Sequence, residues 1–129
     1  MKSSPLNTSD NPSVSSLRDN PCLGTDSTVA ALDVLADDGI SYLLPYAQFL
    51  YAKRTPNPAL EKEPDAPQEK MLIHFERAEV VVLGSGLKRL EREIQKFELK
   101  FVKSADRRLA ATLNTHIAAV TVTLTKEVV

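Results

Sequence analysis

The residues of this chain whose types and spacing come nearest to chemistry are Gly84-Ser85-Gly86, with Lys88 and Arg89 just after them. An apolar run, Val80-Val81-Val82-Leu83, enters the glycines, and an amphipathic run leaves them. A strand that turns into a helix through glycines exposes backbone N–H groups at the helix start, where anions bind. Cations in a first helical turn oppose the helix dipole, and a bound phosphate or carboxylate would relieve that conflict. The expected anion-binding set is therefore Ser85, Gly86, Lys88, Arg89 and Arg92. The motif is incomplete: it lacks the third glycine and acidic residue of a dinucleotide fingerprint, and the spacing and terminal Lys-Ser/Thr of a P-loop. A plain turn with Ser85 capping the helix accounts for the same residues.

Basic side chains continue past that turn. Residues 88–108 hold eight cations and four carboxylates, a local net of +4. Lys88, Arg92 and Lys96 recur every four residues and line one flank of a helix. Single-stranded nucleic acid would need such cations together with exposed aromatics. Phe97 and Phe101 are the aromatics here, and the helical pattern buries Phe97. A solvated flank with intrahelical pairs such as Arg89 with Glu93 competes with the nucleic-acid reading.

No other group of residues adds up to a reaction. His74 and His116 are far apart in sequence and lack accompanying ligands at metal spacing. There is no nucleophile motif and no clustered carboxylate pair. The expectation is a protein that is not an enzyme and uses no cofactor and no metal. Cys22, the single cysteine, cannot form an intrachain disulfide and reads as an inert surface thiol.

Tyrosines suggest a different kind of work. Tyr42, Tyr46, Phe49 and Tyr51 crowd one short segment around Pro45. Tyrosine joins a large apolar body to a polar tip, which suits interfaces. A small domain shields its sheet incompletely, so a remaining aromatic surface favours self-association through a sheet face or edge. These four residues form the expected interface, and the expected partner is a second copy, with a homodimer as the simplest assembly.

The elements that must position these groups follow from composition and period. The chain has 129 residues, 43% apolar and 26% charged, which fits one globular domain. No apolar run approaches the ~20 residues that span a bilayer, and the polar N-terminus lacks the core of a signal peptide. A soluble, cytoplasmic protein with no membrane partner is expected. Residues 1–39 carry a net charge of −4 and residues 40–129 a net charge of +3. Residues 1–27, rich in Ser, Asn, Asp and Pro, read as a disordered acidic leader.

Residues 28–39 read as a short, marginal helix, with Val29, Leu32, Leu35 and Ala36 at helical spacing and three aspartates working against its dipole. Residues 40–54 read as a strand covered on both sides, at an edge or bulge because of Pro45. A helix starting at Pro45 is the rival. Four prolines in residues 55–70 predict an exposed loop. Met71–Phe75 and Glu79–Leu83 form a hairpin or one bulged strand. A helix follows from Gly86 to about Glu98, with Leu87, Leu90, Ile94 and Phe97 on its apolar face. Leu99–Val102 reads as a strand, Asp106–Leu113 as one or two helical turns, and Ile117–Thr125 as a half-exposed strand. The expected fold is α+β: a mostly antiparallel sheet of four to five strands in residues 40–129, with one principal amphipathic helix on one face.

Overall fold

The computed structural model describes residues 20–106, 108 and 113–125. The leader expected over residues 1–27 therefore lies mostly outside the described residues, as does much of the turn expected over Asp106–Leu113. Within them the chain is α+β, with two four-stranded sheets rather than one. The first sheet contains β1 (Leu23–Thr25), β2 (Ala31–Leu35), β3 (Ser41–Pro45) and β7 (Leu99–Lys103), in the order β1-β7-β2-β3. The second contains β4 (Phe49–Pro56), β5 (Glu69–Phe75), β6 (Ala78–Ser85) and β8 (His116–Leu124), in the order β4-β5-β6-β8. The helix α1 spans Lys88–Gln95. All pairings are antiparallel except β2 with β7, which is parallel.

The extra sheet comes from the segment read as leader and helix. Leu32, Val34 and Ala36 are buried, whereas Asp33 and Leu35 between them face out. That is the two-residue period of a strand with one covered face. The helical spacing of Val29, Leu32, Leu35 and Ala36 is a coincidence of composition. A strand also disposes of the aspartates better than a helix would. Asp33 points to solvent, and Asp37 and Asp38 enter a turn closed by Gly39 at φ +88°. The Gly39 N–H donates to the Ala36 carbonyl at 2.9 Å, and the Ile40 N–H to the Asp38 side chain at 2.9 Å.

Pro45 does mark an edge, since β3 is the outermost strand of its sheet. Residues 40–54 are not one doubly covered strand, however. A 3-10 turn at Tyr46–Gln48 splits them into β3 and β4 and carries the chain from one sheet to the other. Leu43, Leu50 and Tyr51 stay exposed. The proline-rich stretch is also shorter than expected as a loop. β4 runs to Pro56, and Asn57, itself buried, organises the return. Its side chain accepts from the Ala59 N–H to start a second 3-10 turn at Pro58–Glu61, and donates to the Pro67 carbonyl at 2.8 Å.

β5 and β6 are a hairpin turning at Glu76-Arg77, and β6 is central, between β5 and β8. Val80 and Val82 are fully buried, but Val81 and Leu83 are only half covered, so the run is shielded mainly on one face. One core joins both sheets and α1: Leu32, Val34, Ile73, Val82, Leu90, Ile94, Val102 and Val120 all belong to it. Asp37 ties the sheets together. Its N–H donates to the Val120 carbonyl at 2.9 Å, and its carboxylate accepts the Val120 N–H at 3.1 Å. Cys22 is fully buried in this core and is not a surface thiol. No helix among the described residues is long and apolar enough to cross a membrane.

Candidate interaction edge and the start of the helix

Ser85 does not cap the helix. It is the last residue of β6, opposite His116 of β8. Gly86 then turns at φ +64°, its carbonyl accepting from the Thr115 hydroxyl at 2.8 Å. Leu87 is the cap residue of α1 and makes no side-chain capping bond. Its N–H donates instead to Oε1 of Glu69, at 2.8 Å, from the first residue of β5. The other oxygen, Oε2, accepts from Arg54 at 2.9 Å, and Arg54 reaches Glu91 in the first turn of α1 at 3.4 Å. These acidic neighbours raise the Arg54 pKa further, with the Glu69 hydrogen bond the largest cause. The position that would hold an anion at this helix start is thus already taken by a carboxylate of the same chain.

Lys88, Arg89 and Arg92 sit on the solvent side of α1, with Lys88 and Arg92 exposed and Arg89 half covered. None is within ion-pair distance of a carboxylate among the described residues. The pair expected between Arg89 and Glu93 does not form, because Glu93 meets Lys96 at 3.4 Å. A cleft of about 380 Å³ lies beside Ser85, lined also by Asp65, Gln68 and His116, with no lysine or arginine among the described residues of its walls. Ser85 and Gly86 are therefore separated from the cations read with them.

The histidines are not brought together either. His74 on β5 approaches Glu79 at 3.1 Å and lies under the Tyr51 ring at 4.6 Å between centroids. His116, nearly buried on β8, donates from Nε2 to the Ala105 carbonyl at 3.1 Å. Among the described residues, no group of three or more His, Cys, Asp or Glu could hold a metal ion.

The aromatic segment divides by depth. Tyr46 is buried, and its hydroxyl donates to the Leu99 carbonyl at 2.7 Å. Its ring lies 6.4 Å from Phe49, 6.3 Å from Phe75 and 5.3 Å from Phe97. Tyr46 is thus part of the core, and Phe49 packs beside it. Phe97 is not on the apolar face of α1. It follows the helix at φ +55°, 43% exposed, with one side on Tyr46. Tyr42 is half covered, and Tyr51 is exposed on the second sheet.

The most exposed large apolar side chain among the described residues lies on β3, beside the tyrosine segment. Leu43 is 69% exposed, with Ile40 at 51% and Leu35 at 39% around it. The backbone polarity of β3 is fixed by its neighbours. Ile40 accepts from Ala36, and Tyr46 donates to Ala30, both at 2.9 Å toward β2. In an antiparallel pair these bonded positions alternate with unbonded ones. Tyr42 and Leu44 therefore bond inward, and Ser41 and Leu43 present their N–H and C=O groups outward.

The other outer strands are guarded in part. β4 carries Lys53, Arg54 and Pro56, β1 has three residues, and β8 is met at Ile117 and Val120 by Ala105 and Asp37, although its end at Leu124 stays exposed. Charge, proline and brevity are the usual protections of an open edge. β3, Ser-Tyr-Leu-Leu-Pro, has only its terminal proline. Compared with protein-family models, curated proteins and solved structures, the chain finds no match.

Proposed function

We propose that this chain is a small, non-catalytic module for protein interaction or self-assembly, working by strand addition at β3. The observation that carries the reading is the uncharged outer edge of β3, with Leu43 exposed at its centre. An extended strand laid along it would take the Ser41 and Leu43 backbone groups as partners and cover Leu43. A cytoplasmic location belongs to the same reading, since a single thiol held in the core requires no oxidising compartment. The test is capture from the native cell by the tagged chain, run in parallel with Leu43→Lys. Partners, including untagged copies of the chain, are expected with the wild type and lost with the variant. A set of bound proteins unchanged by Leu43→Lys would sink the reading.

The second reading is charge-driven binding of nucleic acid along Lys88, Arg89 and Arg92. It is favoured by the lack of carboxylate partners for these three side chains among the described residues, and opposed by Glu69 at the helix start. A gel shift at low salt decides it. Binding must weaken steeply as salt rises, and no shift at low ionic strength ends this reading.

A further inference from the structure

Resting on the strand-addition reading, we infer that the partner strand is β3 of a second copy, antiparallel and centred on Leu43. The outward groups of β3 are self-complementary in that register. Leu43 faces its own copy and exchanges both backbone hydrogen bonds with it. The Ser41 N–H meets the Pro45 carbonyl of the other chain. Pro45 has no N–H to give in return, so only the Ser41 carbonyl, at the end of the strand, stays with water. The proline at this edge thus limits the length of pairing without preventing it.

Side chains select this register over its neighbour. Leu43, Pro45 and Ser41 share the outer face of the sheet, so centring on Leu43 sets the most exposed leucine against its copy. Centring on Tyr42 would keep as many hydrogen bonds but place Leu43 against Ser41. On the inner face, Tyr42 would lie beside Leu44 of the other chain, in the closer, unbonded type of pair. That covers the half-exposed side of Tyr42 and extends the core across the junction.

Asp33, next to Leu43 on the outer face, accepts from the Ser41 hydroxyl at 2.7 Å. The two Asp33 carboxylates would stand three strand spacings apart, about 14 Å. That exceeds the Debye length of about 8 Å at physiological salt, so their repulsion is largely screened. The edge is five residues long, which is small beside the ~1,200 Å² of a stable interface, so association should depend on concentration.

The test uses purified chain alone. Sedimentation should show the mass rising toward twice that of the chain at concentrations up to about 1 mM, with Leu43→Lys weakening association more than tenfold. Leu43 is exposed, so the variant should fold, and its circular dichroism should match the wild type. Nitroxide labels then read the register. Cys22 is buried and should remain unlabelled in the native protein. A label at Leu43→Cys should show strong dipolar broadening that is lost on mixing with unlabelled chain, since paired Cα atoms are about 5.5 Å apart.

A label at Ser41→Cys should broaden less, and one at Lys53→Cys on β4 not at all. Equal broadening at positions 41 and 43 would overturn the register. A chain that stays monomeric, or that associates equally well as Leu43→Lys, would overturn the inference. If that monomeric chain still captures another protein in a Leu43-dependent way, strand addition survives and the second copy does not.

Discussion

Glu69 accepts the backbone N–H of Leu87 at 2.8 Å, so a carboxylate from β5 stands at the positive end of α1. The same group holds Arg54 at 2.9 Å. This explains how a helix can begin Lys88-Arg89, with Glu91 the one acidic residue of its first turn. The dipole is answered from another strand as well as by Glu91 of the helix itself.

Replacing Glu69 should show what that contact contributes. Glu69→Gln keeps the shape and removes the charge, and should cost about 1 kcal/mol in urea unfolding. Glu69→Ala leaves both Leu87 and Arg54 without a partner and should cost more. Because the site is partly open to solvent, the deficit of Glu69→Gln should shrink at about 1 M salt. A deficit that is independent of salt would mean that shape rather than charge is responsible.

Much of this region was legible in the sequence, and the reasons are local. The Val80–Leu83 run and the glycines after it mark a strand and a turn directly, and the apolar stripe Leu87, Leu90, Ile94 repeats with the period of a helix. The hairpin β5–β6 and the alternation of β8 are of the same kind. Glu69 was not legible as the anion of the helix start, since nothing local ties it to Leu87. β2 was missed for a similar reason. Its Asp33 lies beside Phe101 in a parallel pairing that no local pattern signals, and four apolar residues imitated a helical period. Aromatic character alone marks Tyr42, Tyr46, Phe49 and Tyr51 as interface candidates in the sequence. Depth, which only the fold assigns, puts Tyr46 in the core and Leu43 at the surface.

The two glycines of the turn are required for different reasons, and alanine should separate them. A methyl at Gly84 would overlap the His116 carbonyl oxygen on β8, a backbone atom that cannot step aside. Gly86 has φ +64° and would meet the Asn114 carbonyl in the same way. Gly39, at φ +88°, has open space around it. Gly39→Ala should therefore cost only the conformational strain, about 1–2 kcal/mol. Gly84→Ala and Gly86→Ala should each exceed that, by forcing β8 or the turn to move. Thermal unfolding of the three variants checks the order. Gly84→Ala ranking with Gly39→Ala would show that β8 is more loosely held than the register implies.

Cys22 provides a probe of the core. It is fully buried, its sulfur accepting from the Ile117 N–H at 3.3 Å. Burial raises its pKa above the ordinary thiol value, so less thiolate is present near neutrality. A thiol reagent should modify it slowly in the native protein and rapidly in denaturant. The native rate should follow the unfolding equilibrium, so Gly84→Ala should accelerate it and Leu43→Lys should not. Rapid modification of the native wild type would contradict the burial.

Tyr46 links the aromatic cluster to β7 through one hydrogen bond, and its titration should be visible in stability. Burial pushes the phenol well above its ordinary range. The folded state therefore keeps the proton when the unfolded state loses it. The stability this contributes is fully present below the unfolded value of about 10 and falls as pH rises above it. Tyr46→Phe removes both the titration and the bond to the Leu99 carbonyl. It should lower stability by about 1–2 kcal/mol at neutral pH, yet flatten the alkaline decline. Unfolding curves of the two proteins should accordingly converge above about pH 10. Parallel curves would mean that the Tyr46 hydroxyl reaches water in the native state.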